Sequence, residues 1–274
     1  MRRIVLYLII ILSGSGQTIG QTSSQNVPEE LTTLFVRLEK VYDDDTRIRI
    51  NDSIRSILDS YTASDSVFTH RFTNLRYLGQ ITSSDNMLKI ITWNLILTNS
   101  ANRYFCYFIR KGEHGKKNSV NILKGVNSGE PVHTDTLYSD DNWYGALYYD
   151  LRPVKIKKIV CYVLLGIDFG NTKVNRKIID VLTFTQDGGM IFGRKWFESG
   201  NEFKYRVVFE YDSGGVMSLK FRSGKSVVFD HLVPLPTGTK GELQSFGAEY
   251  SFDSYTFKKG IWKFERDVDV RNKD

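Results

Sequence analysis

Cysteine is almost missing from this 274-residue chain: Cys106 and Cys161 are its whole complement. A lipid anchor at a processed N-terminus needs a cysteine at the cleavage point, and none precedes position 106, so no anchor of that kind is expected. Histidine is nearly as scarce. His70, His114, His133 and His231 have no metal-binding partner one helical turn away and no HExxH context, so no metal site and no cofactor are expected. Long hydrophobic runs are lacking too: Ile4–Leu12 holds nine apolar residues, against about 20 for a membrane-spanning helix. Nor is charge of one sign concentrated anywhere. The formal +6 is spread along the chain, and its densest cluster, Lys155, Lys157 and Lys158, reads as a solvated loop. Nucleic-acid binding finds no support in that distribution.

What the chain does have begins at residue 1. Met1-Arg2-Arg3 is a cationic start, Ile4–Leu12 an apolar core, Ser13-Gly14-Ser15-Gly16 a helix breaker, and Thr18-Ile19-Gly20 a set of small residues. That order is the pattern of a secretory signal over 1–20, cleaved near Gly20–Gln21. The expectation is an exported protein of the periplasm, cell surface or medium, with no transmembrane segment after cleavage. The 254 residues after Gly20 carry 35 basic and 31 acidic side chains and are enough to bury a substantial core. Cys106 and Cys161 are each flanked by apolar residues. They are either one disulfide, closing a loop of about 55 residues worth roughly 4 kcal/mol, or two buried free thiols packed as small hydrophobes.

Pro28-Glu29-Glu30 suits the first turn of a helix, and Leu31, Leu34, Phe35, Leu38, Val41 and Tyr42 follow at helical spacing. Asp43-Asp44-Asp45 interrupts that stripe. It lacks the alternation and glycine of a calcium loop and reads as a turn. Ile50, Ile54, Ile57, Leu58 and Tyr61 form a second stripe, so residues 21–74 are expected to hold an N-terminal helical hairpin.

From about Leu75 the period falls to two, and residues 75–274 read as an antiparallel β domain. Expected strands are Met87–Leu97, Arg103–Arg110, Ile159–Phe169, Ile178–Phe184, Met190–Phe197, Phe203–Tyr211, Val216–Phe221, Val227–Leu232, Tyr255–Phe257 and Ile261–Phe264. Glycine-bearing turns at 186–188, 212–215, 222–225 and 258–260 predict hairpins. In Phe203–Tyr211 the alternation places Phe203, Tyr205, Val207, Phe209 and Tyr211 on a buried face, and Lys204, Arg206 and Glu210 in water. That charged face argues against an outer-membrane barrel. The expected fold is mainly β (α+β): the helical hairpin packed on a large antiparallel sheet domain, sandwich-like or strongly curled.

Catalytic motifs do not survive inspection. Gly125-Val126-Asn127-Ser128-Gly129 has serine in the wrong place for a nucleophile elbow, and Gly224-Lys225-Ser226 has Leu219 where a phosphate loop needs glycine. Asp230-His231 are adjacent on a strand and so point to opposite faces. Asp168 and Asp180 lie in apolar surroundings, where a carboxylate must be paired or titrate high. The most unusual string is Asp140-Asp141-Asn142-Trp143-Tyr144-Gly145-Ala146-Leu147-Tyr148-Tyr149, acids and an amide leading into four aromatics. That mixture suits a sugar ring, or else it is a capped turn whose aromatics enter the core.

With these strings the chain resembles a family of uncharacterised exported proteins of Bacteroidetes bacteria. The likeness rests on the segment from Asp141 to Tyr149, on Leu164-Leu165-Gly166-Ile167-Asp168, Lys177-Ile178-Ile179-Asp180-Val181-Leu182 and Arg206-Val207-Val208-Phe209-Glu210-Tyr211, and on Met217-Ser218-Leu219, Phe229-Asp230-His231-Leu232 and Asp267-Val268-Asp269-Val270-Arg271-Asn272. The resemblance implies an envelope setting and no activity. Two functions are carried forward. One is a non-enzymatic envelope protein that binds a glycan or another envelope protein through Asn142, Trp143, Tyr144 and Asp168. The alternative is an envelope hydrolase acting on a glycan, with two carboxylates among Asp168, Asp180, Glu210 and Asp230 facing one cleft at about 5–10 Å.

Overall fold

The computed structural model describes residues 27–73, 75–98, 102–112, 116–126, 131–170, 173–236 and 245–271. The expected signal segment and His114 lie outside them. Helix α1 (Val27–Lys40) and helix α2 (Asp44–Thr62) form the expected hairpin. Asp43 is the N-cap of α2, accepting the Thr46 N–H at 2.8 Å, so the aspartate run is a capped turn. The buried stripes are Leu31, Phe35 and Leu38 on α1 and Ile50, Ile54 and Leu58 on α2, whereas Tyr42 faces solvent.

Sixteen strands follow among the described residues, in three open sheets with no closed barrel. The first is an antiparallel meander of β1 (Gly79–Thr82), β2 (Leu88–Ile96), β3 (Asn102–Arg110) and β4 (Ser119–Val126). The second has the order β5 (Tyr138–Ser139), β9 (Met190–Phe192), β8 (Val174–Phe184), β7 (Ile159–Asp168), β6 (Leu147–Ile156), with β12 (Val207–Asp212) also on β8. The third runs β11 (Glu202–Lys204), β10 (Phe197–Ser199), β16 (Ile261–Glu265), β15 (Phe246–Lys258), β14 (Ser226–Pro234), β13 (Leu219–Ser223). All ladders are antiparallel except the short β10–β16 contact.

The layers are helices, first sheet, second sheet, third sheet, with a core in each gap. Strand parity sets this. On β3, Phe105, Tyr107 and Ile109 pack on the helices, while Tyr104, Cys106 and Phe108 face the second sheet. On β7, Tyr162 and Leu164 face the first sheet, while Cys161, Val163 and Leu165 face the third. Strands covered on both faces need apolar residues at every position, which is why β3 and β7 read as near-continuous apolar runs.

This stacking decides the cysteine question. Cys106 lies in the middle core and Cys161 in the core beyond the second sheet, so a layer of backbone separates them, and both are free, buried thiols. Burial pushes the Cys106 thiol well above its ordinary range.

Two sequence expectations are corrected by sheet switching. Met190–Phe197 is not one strand: β9 ends at Phe192 in the second sheet, and the chain crosses at Gly193 (φ +105°) to β10 in the third. Phe203–Tyr211 is likewise broken at Tyr205-Arg206 into β11 and β12, again in different sheets. Phe203 is therefore exposed, and Arg206, expected in water, is fully buried. The turn at 212–215 exists, with Gly215 N–H on the Asp212 carbonyl, but it joins β12 to β13 across sheets and makes no hairpin. The turns at 186–188, 222–225 and 258–260 do close hairpins.

Candidate functional site

The aromatic string forms the approach to β6 and turns inward. Asn142 stays exposed, its Oδ1 accepting from the Ser139 N–H at 2.6 Å and the Ser139 hydroxyl at 3.0 Å. Trp143 is buried, 5 % exposed, so it offers no face for a sugar to stack on. Its indole N–H donates to the Tyr148 hydroxyl at 3.0 Å, and the Tyr144 hydroxyl donates to Asp180 Oδ2 at 2.9 Å. Since the Tyr144 proton goes to Asp180, the 3.0 Å contact between the Tyr144 and Tyr148 hydroxyls must carry the Tyr148 proton to Tyr144. The string is a capped turn whose aromatics enter the core, and an aromatic–acidic surface at Asn142–Tyr144 is not what the fold presents.

That hydrogen-bond chain ends on a wholly buried ion pair. β12 pairs with β8 over residues 174–179 and β9 pairs with it over 182–184, leaving Asp180 and Val181 at a seam. Arg206 enters this seam with Nε on Asp180 Oδ2 at 3.0 Å, and its other nitrogens donate to the carbonyls of His133, Thr136 and Phe192. Tyr138 and Tyr144 lie against its guanidinium, 4.6 and 5.6 Å away. A Cβ at Gly193 would come within 2.7 Å of Arg206 Nη2, so glycine is required there on both steric and backbone grounds. Burial pushes the Asp180 carboxyl above its usual range, against the pull of Arg206.

The remaining acids are also engaged. Asp168 accepts the Tyr104 hydroxyl at 2.9 Å and Gly170 N–H at 3.0 Å, and meets Arg176 Nη1 at 3.0 Å. Arg176 Nε reaches exposed Glu210 at 2.6 Å, so Asp168 and Glu210 grip one guanidinium. Asp168 and Asp180 share a face of the second sheet but stand four register positions apart, roughly 13 Å at the strand rise. Asp230 is on the third sheet and accepts Ser218 N–H at 2.7 Å, while His231 turns instead to Asp253, Nδ1 to Oδ2 2.7 Å. The fold brings Asp168 and Glu210 together around a cation and gathers no other pair of these acids.

One of several concave features among the described residues lies elsewhere, where the helical hairpin meets the edges of the first and second sheets. A cleft of about 460 Å³ opens there, within the usual range for small-ligand sites. Phe35 and Leu38 of α1 form one wall, and Leu147 of β6 with Ile167 of β7 form the other. Its rim carries Tyr77, Ile96 and Phe169, apolar side chains 46, 53 and 38 % exposed. Tyr77 stacks on Phe35 and donates its hydroxyl to Glu39. Gly79 of β1 keeps this region thin, because a Cβ would meet Thr92 Cγ2 at 2.8 Å. Two cations line the cleft, Arg47 of α2 and exposed Arg76.

Sequence reasoning missed this site for a plain reason. Its residues come from α1, α2, the 76–79 segment, β2, β6 and β7, and no local string announces their convergence. Arg176 and Arg206 were also missed as partners. The available signal was the presence of acids in apolar strands, which requires cations somewhere. Among the described residues no cluster of His, Cys, Asp and Glu is arranged to hold a metal ion, and no helix is long and apolar enough to cross a membrane. No protein-family model matches the chain, and no curated protein or solved structure is detectably similar to it.

Proposed function

We propose that the chain is an exported, non-enzymatic binding module that holds a ligand in the cleft between its helical hairpin and sheet edges. One contrast carries the reading. The carboxylates suspected of catalysis are engaged by arginines or backbone N–H groups, while apolar side chains stand exposed around a concave site of ligand size. The cationic start and apolar run at Met1–Leu12 support export, and the likeness to exported Bacteroidetes proteins agrees with an envelope setting. A glycan hydrolase would need two acids free to face one substrate, and this geometry gives that reading no support.

Export is tested by the intact mass of the protein recovered from the envelope or medium, which is expected to begin near Gln21. Binding is tested by an NMR fragment survey that includes sugars, amines, acids and hydrocarbons. Shift changes are expected to centre on Tyr77, Ile96 and Phe169. Hits centred on Asn142 or on Glu210 would displace the site.

A further inference from the structure

Resting on the cleft as the binding site, we infer that its ligand is an amphipathic anion: an alkyl or similarly apolar body with a single acid head. The argument is one of unspent hydrogen-bonding capacity. Glu39 is engaged by the Tyr77 hydroxyl, the Asn94 amide donates to Asn102 Oδ1 at 3.1 Å, and the Thr92 hydroxyl donates to the Phe105 carbonyl at 3.1 Å. The two guanidiniums are the cations that face the cleft. Arg47 Nη1 is fixed on the carbonyls of Leu38 and Val41, at 3.1 and 2.7 Å, where it closes the C-terminal end of α1. Its Nε is buried with no hydrogen-bond partner among the described residues. Arg76 forms no ion pair among them and stays solvent-exposed at the cleft.

Two guanidiniums against one carboxylate already engaged by Tyr77 favour a ligand group of negative charge. The cleft as a whole, with Arg47 and Arg76 against one carboxylate, carries an excess of one positive charge. Its walls at Leu38, Ile96, Leu147 and Ile167 are aliphatic, which suits a hydrocarbon body. A sugar of many hydroxyls would leave most of them without partners, at a cost for each.

The probe is dodecanoate, titrated into the mature protein by calorimetry, with dodecan-1-ol as its uncharged counterpart. Dodecanoate is expected to bind with one-to-one stoichiometry and dodecanol at least tenfold more weakly. Arg76→Gln, an exposed change that leaves folding intact, is expected to weaken dodecanoate about tenfold and dodecanol not at all. Arg47→Gln should do the same, with circular dichroism confirming that α1 persists. Equal affinity for acid and alcohol, or no effect of either arginine variant, overturns the anion while the cleft reading stands. Absence of dodecanoate binding, with fragment hits at the cleft confined to sugars or amines, overturns it as well. Ile96→Glu puts a carboxylate at the rim and is expected to abolish binding of both probes. Dodecanoate binding unchanged in that variant would place the site elsewhere and remove both readings together.

Discussion

The two faces of the first sheet treat buried charge in opposite ways. In the layer it shares with the second sheet, whose face carries them, each buried guanidinium meets a carboxylate: Arg206 with Asp180, Arg176 with Asp168. On the face toward the helices, Lys89 is 2 % exposed, yet its ammonium meets only the carbonyls of Val67 and His70, both at 2.6 Å, and the Tyr61 hydroxyl at 3.4 Å. Arg47, also on the helix side, rests on two carbonyls and keeps an orphan Nε. The inner face is electrostatically closed, so removing a partner there should cost stability and nothing else. The helix side keeps a buried Arg47 donor without a partner among the described residues, and the proposed ligand is assigned to that side.

The contrast can be broken first at Arg206. Arg206→Met strands the Asp180 carboxylate and three carbonyls, and is expected to lose about 3–5 kcal/mol in urea denaturation. Adding Asp180→Leu should recover part of that loss, because an unpaired buried charge is worse than none. A cost below 1 kcal/mol for Arg206→Met would mean that the inner pair is not what holds the seam.

Next in size is Gly193→Ala. Positive φ and a 2.7 Å approach to Arg206 act together there, for an expected cost of about 1–3 kcal/mol. Gly200→Ala has positive φ but open space around its Cβ, and should cost less.

Lys89 sharpens the comparison through pH. Burial, and then Arg71, bring its ammonium down to about 8 in the folded protein, against about 10.4 in the unfolded chain. Between these values the unfolded state binds the extra proton, so stability rises with pH from about 8 to about 10.4. Denaturation midpoints should climb across that window in the native protein, and by less in Lys89→Met. A flat difference between the two proteins would place Lys89 in contact with water.

The smallest effects concern the periphery. Ile96→Glu should change stability by no more than about 0.5 kcal/mol while removing alkyl binding, which separates the cleft from the core. Both thiols should resist alkylation in the folded state and take up two labels after denaturation. A mass two protons lighter, with no labelling, would restore the disulfide.

Much of the scaffold was legible because it rests on local periodicity. The α1 and α2 stripes follow from residues three and four apart, β7 from an unbroken apolar run, and the hairpins at 186–188, 222–225 and 258–260 from glycine in tight turns. The failures share a cause. Phe203–Tyr211 alternates well enough for one strand, but alternation cannot register that the chain changes sheet at Tyr205-Arg206. Trp143 and Tyr144 were open between a surface and a capped turn entering the core, and only packing shows which way an aromatic turns.

By itself the sequence determined the helical hairpin, the predominance of strands, the lack of any metal-binding motif, and the requirement that Asp168 and Asp180 find partners. Tertiary structure alone decided that those partners are Arg176 and Arg206, that the cysteines lie on opposite sides of a sheet, and that a cleft forms from six separate segments. The physical reason is range. Periodicity and turn chemistry act between near neighbours, whereas charge pairing and cavity shape depend on residues that meet only when distant strands stack.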